Sequence, residues 1–254
     1  MKITDKSFLI SILCFMSLFL WLGHVEYVQQ TWMLMGAGAA PFIILMLMDY
    51  KRSGSIHYGQ LFPWLGLAIY MIHQFEEHGV DIYGNQFAFS AFVNHFAGGL
   101  LGCGENLNCP TTPENLLYIN IWLVWLPFLL AAYKNRNMFP TACAIGIIFS
   151  NACLHTIVSL KLQAYNPGVL TALLLFWPFS LYFYKLCLKR DWLTKKGVIL
   201  SVMYGFLTHA ILASSLAASY VHHLIPTTSV PFIYIACAFI PLAIVRFRRA
   251  VQYT

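Results

Sequence analysis

Eight apolar segments, most of them long enough to cross a membrane, dominate this sequence. They lie at residues 7–23, 31–48, 61–75, 116–133, 139–160, 168–188, 197–219 and 230–246. A helix that crosses the hydrocarbon core needs about 20 mostly apolar residues, and it satisfies its own backbone hydrogen bonds there. We therefore predict an all-α fold: a polytopic integral membrane helix bundle of about eight transmembrane helices, forming a single domain over residues 1–254.

The composition excludes two broad classes of protein. Hydrophobic residues make up 59% of the chain and charged residues only 9%, whereas soluble domains average about 25% charged residues. The formal net charge is +6, but the basic residues form short clusters between apolar segments, which is typical of topology signals. Neither a soluble domain nor a nucleic-acid partner fits this pattern.

The positions of the basic residues predict the orientation. If eight segments cross the membrane in alternation, 14 of the 15 Lys and Arg residues fall on one side, and Lys161 is the exception. Cytoplasmic loops carry an excess of Lys and Arg. Both termini are therefore predicted to be cytoplasmic, in a plasma membrane or a bacterial inner membrane.

The loop from about residue 76 to residue 115 is then external. It holds five acidic residues and neither Lys nor Arg. The apolar stretch from Phe87 to Leu101 is too short to cross a membrane, so it predicts a re-entrant or interfacial helix. Cys103 and Cys109 lie in the same loop and are candidates for a disulfide in an oxidising exterior, with two free thiols as the alternative.

A cluster of ionisable residues ends the third apolar segment. His73, Glu76 and Glu77 are three and four residues apart and share one face of a helix, whereas His78 lies about 140° further around it and is a supporting residue. Two neighbouring carboxylates near lipid repel each other and are costly to bury. A divalent metal ion would relieve both problems, so His73, Glu76 and Glu77 are predicted ligands.

Further potential ligands come from other segments at the same membrane depth. His155 lies near the outer end of the fifth segment, and Asn151 is four residues before it on the same face. Asn94 and His95 lie in the short apolar stretch of the external loop. We expect His95 and His155 to complete the metal site, with Asn94 and Asn151 supporting it.

Three short motifs occur in order along the chain. They are His73-Gln-Phe-Glu76-Glu77 (H-x-x-E-E), Asn151-Ala-Cys-Leu-His155 (N-x-x-x-H) and Tyr165-Asn-Pro-Gly168 (Y-N-P-G). Together they resemble the HXXEE-domain family of membrane proteins, whose reaction is unassigned. The resemblance covers about residues 60–190 and leaves flanking helix pairs in residues 1–59 and 191–254. The resemblance implies a membrane protein with a His/Glu site. Asn-Pro followed by Gly makes a tight turn, which we expect to position His155, and Tyr165 is a supporting residue.

The types of the predicted ligands limit which metal the site would bind and which reaction it would catalyse. Imidazole and carboxylate without thiolate suit zinc, iron or manganese, and we favour zinc. In a hydrolase or transferase, His73, Glu77 and His155 would hold the metal and Glu76 would act as general base on a metal-bound water. The depth of the site favours a membrane lipid or a lipid-linked small molecule at the external leaflet as the substrate.

Two other functions remain open at this point. A di-iron membrane oxidoreductase of the hydroxylase or desaturase type would use both glutamates as ligands, although such sites commonly contain more carboxylates than this cluster supplies. A metal- or proton-binding transporter or sensor would use the same residues as a relay. The oligomeric state is not encoded in any of these patterns.

Overall fold

Helices account for nearly all of the regular structure. The computed structural model describes residues 5–54, 57–97, 110–133 and 137–252. In these ranges the helices are α1 (Asp5–Leu22), α2 (Glu26–Arg52), α3 (Tyr58–His78), α4 (Ala88–Ala97), α5 (Pro113–Tyr133), α6 (Met138–Leu162), α7 (Val169–Lys189), α8 (Lys195–Val221) and α9 (Val230–Gln252). Single π-helical turns interrupt α5 at Ile121–Trp125, α7 at Ala172–Phe176 and end α8 at Ala217–Val221.

Six of the described helical stretches are long and apolar enough to cross a membrane: α2, α5, α6, α7, α8 and Thr227–Arg246, which includes most of α9. The apolar part of α1, Ile10–Leu22, is shorter. α3 is not among the six, because the polar residues of its last two turns lower its hydropathy. The predicted all-α membrane bundle is confirmed, whereas the number of eight crossings and the orientation of the termini stay predictions.

α5 lies at the centre of the bundle. In its most apolar stretch 83% of the residues are buried, against 28% in α2 and in α8. Leu117, Ile121, Trp122 and Leu126 of α5 are completely enclosed. The outer helices instead leave large apolar side chains such as Leu160 exposed, which is the surface that lipid tails cover.

α6 and α8 touch through their backbones where they cross. A Cβ atom added to Gly146 of α6 would overlap the carbonyl oxygen of Ser201, and one added to Gly205 of α8 would overlap that of Gly146. Small residues allow this close approach in membrane bundles. Residues C-terminal to the crossing line a cavity between the two helices, described below.

The ends of α3 and α7 fix the location of the polar cluster. Tyr58 at the start of α3 packs against Trp192, which follows α7, with the two rings centred 5.2 Å apart, so the two helices run antiparallel. The end of α3 therefore meets the start of α7, and residues 163–168 bring the chain there from the end of α6. We call this end of the bundle the site end.

A short helix also lies at the site end, where a re-entrant or interfacial helix was predicted. α4 packs on α3, with the ring of Phe89 centred 5.2 Å from the ring of His78. The end of the predicted stretch, after residue 97, and both Cys103 and Cys109 lie outside the described residues, so their pairing stays a prediction.

Candidate metal centre

Three buried side chains from two helices meet at the site end. His73 and Glu77 of α3 and His155 of α6 each present a ligand atom, and these atoms all lie within 4.8 Å of one another. Glu77 Oε1 lies 3.0 Å from His155 Nε2, and Glu77 Oε2 lies 3.4 Å from His73 Nε2. The two imidazole rings are centred 5.0 Å apart. The predicted convergence of α3 and α6 on one pocket is thus confirmed.

A hydroxyl group fixes the protonation of His73. Its Nδ1 lies 2.7 Å from Thr171 Oγ1. The single proton of the Thr171 hydroxyl points to the carboxylate of Glu76, with the carbonyl of Gly168 at 3.2 Å as a weaker alternative acceptor, so the hydroxyl oxygen accepts from His73. The proton of a neutral His73 is therefore on Nδ1. Its Nε2 then points a lone pair at Glu77, and this buried atom has no hydrogen-bond partner in the described structure.

An amide group fixes His155 in the same way. Asn166 donates from Nδ2 to the carbonyl of His155 at 3.0 Å, which turns its Oδ1 towards His155 Nδ1 at 2.6 Å. Nδ1 must then carry a proton, because an amide oxygen only accepts. In a neutral His155, Nε2 consequently carries a lone pair that faces Glu77.

These hydrogen bonds leave an unbalanced centre. Two imidazole lone pairs and one carboxylate share a pocket that is almost closed to solvent, and their mutual repulsion requires a cation among them, either a proton or a metal ion. Histidines that bind a metal commonly donate their other ring N–H to a fixed partner, which sets the tautomer and the ring orientation. Thr171 and Asn166 supply those partners here.

The side chain of Glu76 points away from the group of three and towards the start of α7. Its carboxylate accepts four hydrogen bonds: two backbone N–H groups, of Leu170 at 3.1 Å and of Thr171 at 2.8 Å, the Tyr165 hydroxyl at 3.0 Å and the Thr171 hydroxyl. It therefore caps the positive end of α7 from a neighbouring helix. The geometry does not support its predicted roles as ligand and general base, since both oxygens are committed to α7 and Tyr165.

Tyr165 belongs to this cap. Burial, together with the negative charge of Glu76 and the hydrogen bond to it, raises the pKa of Tyr165 above its ordinary value. The phenol consequently stays protonated and keeps donating to Glu76. The predicted supporting role of Tyr165 thus acts through Glu76.

Gly168 packs against all three members of the group. Its φ of +96° is left-handed, and a Cβ atom there would lie 2.7 Å from His155, 2.8 Å from His73 and 2.9 Å from Glu77. Only glycine combines this backbone conformation with so close an approach. The Y-N-P-G turn is therefore the floor of the site.

A chain of buried hydrogen bonds holds His78 beside Glu77. The Trp125 indole donates to Gln74 at 2.9 Å, and Gln74 donates to Asn120 at 2.7 Å. Asn120 then directs its own N–H groups to the Leu116 carbonyl and, at 3.3 Å, to His78 Nε2. Because indole only donates, this direction is fixed along the whole chain, and His78 Nε2, 3.5 Å from Glu77, accepts.

The other predicted residues lie further from the centre. Asn151 donates to the Tyr70 hydroxyl at 3.0 Å, and its Oδ1 is buried without a partner in the described structure. His95 and Asn94 are exposed on α4, where Asn94 accepts from Thr111. His95 is not in the group of three, so its assignment as a ligand is not supported by this arrangement.

The sequence interpretation missed Thr171, Asn166 and Gly168. The last two stand inside the Y-N-P-G motif, so the signal was present but was interpreted as a turn alone. Thr171 belongs to none of the three motifs, and it is 98 residues away in sequence from His73, which it contacts.

Glu77 and His155 face a large cavity. Its volume is about 940 Å³. Glu77, His155, Asn166 and Lys161 line one part of it, and mostly apolar residues of α4, α5, α6 and α8 line the rest.

Comparison with protein families identifies the central segment. A family model described as a protein of unknown function with an HXXEE motif matches residues 64–183. This match identifies residues 64–183 as similar to the HXXEE family, as the three motifs predicted. The HXXEE domain contains His73, Glu77, His155 and the Y-N-P-G turn, and it lies within the range of about 60–190 that the motifs predicted. No curated protein and no solved structure matches the chain.

Proposed function

We propose that this protein is an integral membrane metal-dependent enzyme, with one divalent cation held by His73, Glu77 and His155. The observation that carries the proposal is the fixed pair of tautomers: Thr171 and Asn166 occupy both Nδ1 atoms, and both Nε2 atoms face the same carboxylate. Two imidazoles and one carboxylate are the ligands of many catalytic zinc sites, with a further position left for water or substrate.

The reaction that we propose is hydrolysis or group transfer on a lipid or lipid-linked substrate. A bound zinc ion would supply a Lewis acid and lower the pKa of a bound water. His78 replaces Glu76 as the proposed proton acceptor, because it lines the cavity beside Glu77 and its unprotonated Nε2 has only the long 3.3 Å contact from Asn120 to give up. Glu76 and Thr171 position His73.

The other functions have weaker support. A di-iron site needs several carboxylates, and Glu77 is the only carboxylate in the group. A proton relay through the buried chain would have to pass Trp125, whose indole N–H cannot accept a proton. Zinc in a mononuclear enzyme therefore remains our proposal, with iron and manganese as outcomes of the test.

The test is elemental analysis of detergent-purified protein. We expect one zinc per chain in the wild type and less than about a tenth of that in His73→Ala, His155→Ala and Glu77→Gln. His95→Ala is the matched control, because this exposed histidine lies outside the group, and it should keep its metal. Two irons per chain would favour the oxidoreductase, and a metal-free wild type that moves protons in vesicles would favour transport.

A further inference from the structure

The cavity beside the metal centre has the size and walls of a ligand site. Its volume of about 940 Å³ lies at the upper end of the range of about 300–1,000 Å³ that small-molecule sites occupy. Apolar side chains such as Phe92, Leu123, Ile147 and Phe206 form most of its wall. Such a lining suits a hydrocarbon chain.

The cavity opens towards lipid. Leu154 and Phe206 line it from α6 and α8, and they are 39% and 42% exposed. Both lie within helices that are long and apolar enough to cross a membrane. A molecule would therefore enter sideways from the bilayer, through the gap that opens beyond the close crossing of α6 and α8.

Lys161 gives the cavity a positive charge at the site end. It is in the last turn of α6, it lines the cavity, and it makes no ion pair with an acidic residue in the described part of the chain. It was also the one basic residue that the predicted topology could not place on the cytoplasmic side. Its exposed ammonium group is available to pair with an anionic group of a ligand.

Asn151 supplies a second polar contact deeper in the cavity. Its Nδ2 is used by Tyr70, and its Oδ1 is a buried acceptor without a partner in the described structure. If the amide were turned over, a donor would be left instead. Leaving such an atom unsatisfied is costly, and a hydroxyl or amide group of a ligand would satisfy it.

The order of Lys161, His155 and Asn151 along α6 indicates the order of the chemical groups in the ligand. With a rise of about 1.5 Å per residue, Lys161 lies about 9 Å beyond His155 along the helix axis, and Asn151 lies about 6 Å before it. We propose that the cavity takes a single-chain amphiphile with an anionic headgroup at Lys161, a linkage near His155, a hydroxyl or amide group at Asn151 and a hydrocarbon chain beyond. One part of this proposal rests on the proposed function, namely that the linkage near His155 is the bond that reacts. The binding of the amphiphile does not depend on that function.

The binding test uses a glycerol phosphate lipid with one 3-hydroxyacyl chain, in which a phosphate, an ester and a chain hydroxyl follow one another in the proposed order. Its affinity for purified wild-type protein is compared with that of the same lipid carrying a choline on its phosphate. We expect the phosphate lipid to bind more tightly, and Lys161→Gln to weaken its binding about tenfold and remove the preference. Asn151→Leu should weaken both lipids.

Two further variants test the location. Ala213→Trp fills the cavity and should abolish binding, whereas Ile199→Trp, on the exposed face of the same helix, should leave it unchanged. Unaltered helical circular dichroism ensures that each variant is folded. An unchanged affinity in Lys161→Gln, or inorganic phosphate that competes as well as the lipid does, would overturn the proposal.

Metal binding is separated from lipid binding by His73→Ala. This variant should lose the metal and still bind the phosphate lipid, because His73 does not line the cavity. Lipid binding without metal in the wild type would therefore overturn the proposed function alone. Metal without any lipid preference would overturn the cavity assignment alone.

Discussion

Gly168→Ala tests how closely the Y-N-P-G turn packs on the metal centre. The left-handed backbone costs an alanine about 1–2 kcal/mol. The new methyl group would meet three side chains at 2.7–2.9 Å, where ordinary contacts begin at 3.4 Å. The neighbours must move by about 0.5–0.7 Å, and overpacking of this kind costs about 1–3 kcal/mol more.

Gly84→Ala is the matched control for the backbone cost. Gly84 also has a left-handed φ, +83°, but nothing lies within 4 Å of its Cβ position. The difference between the two variants therefore reports the contact with the site. We expect Gly168→Ala to be about 1–3 kcal/mol less stable than Gly84→Ala in detergent.

Metal affinity gives a second measure of the same perturbation. Displacing His73, Glu77 and His155 by about 0.5–0.7 Å reaches or exceeds the tolerance of about 0.5 Å of a preorganised site, so a zinc competition assay should show a loss of about tenfold or more in Gly168→Ala only. Equal stability and equal zinc affinity in the two alanine variants would show that Gly168 does not touch the ligands.

Three further variants probe the supports of the site and of the bundle. Thr171→Val removes the hydroxyl between His73 and Glu76 and should lower zinc affinity about 10–100-fold in a competition assay, whereas Thr141→Val, at a buried hydroxyl without a partner in the described structure, should leave it unchanged. Gln74→Leu leaves Trp125 and Asn120 unsatisfied and should destabilise the protein by about 1–3 kcal/mol in chemical denaturation; a smaller effect would argue against the continuous chain. Gly146→Ala forces α6 and α8 apart and should lower the midpoint of thermal unfolding sharply, while Gly38→Ala, which meets nothing within 4 Å, should not; similar midpoints would contradict the close crossing.

The fold was predictable from hydropathy because length and apolar composition are local properties. The meeting of His73, Glu77 and His155 was also predictable, since helical spacing puts the first two on one face and the alternation of crossings puts His155 at the same depth. The number of crossings was harder to predict, because the last turns of α3 contain polar residues that lower the hydropathy of the helix.

The role of Glu76 was not predictable in the same way. Adjacent carboxylates in one motif look equivalent, yet they point to different sides of α3, and only the tertiary position of α7 decides which one caps a helix. His95 lies on the exposed face of α4 and outside the group of three, so its role as a ligand stays a prediction.

The most direct test of the metal centre is X-ray absorption at the zinc edge of the metal-loaded protein. We predict two imidazole nitrogens at about 2.0–2.1 Å together with carboxylate oxygen, and one imidazole fewer in His155→Gln. Sulfur at about 2.3 Å, or an imidazole count that does not change in His155→Gln, would contradict a centre shared by α3 and α6.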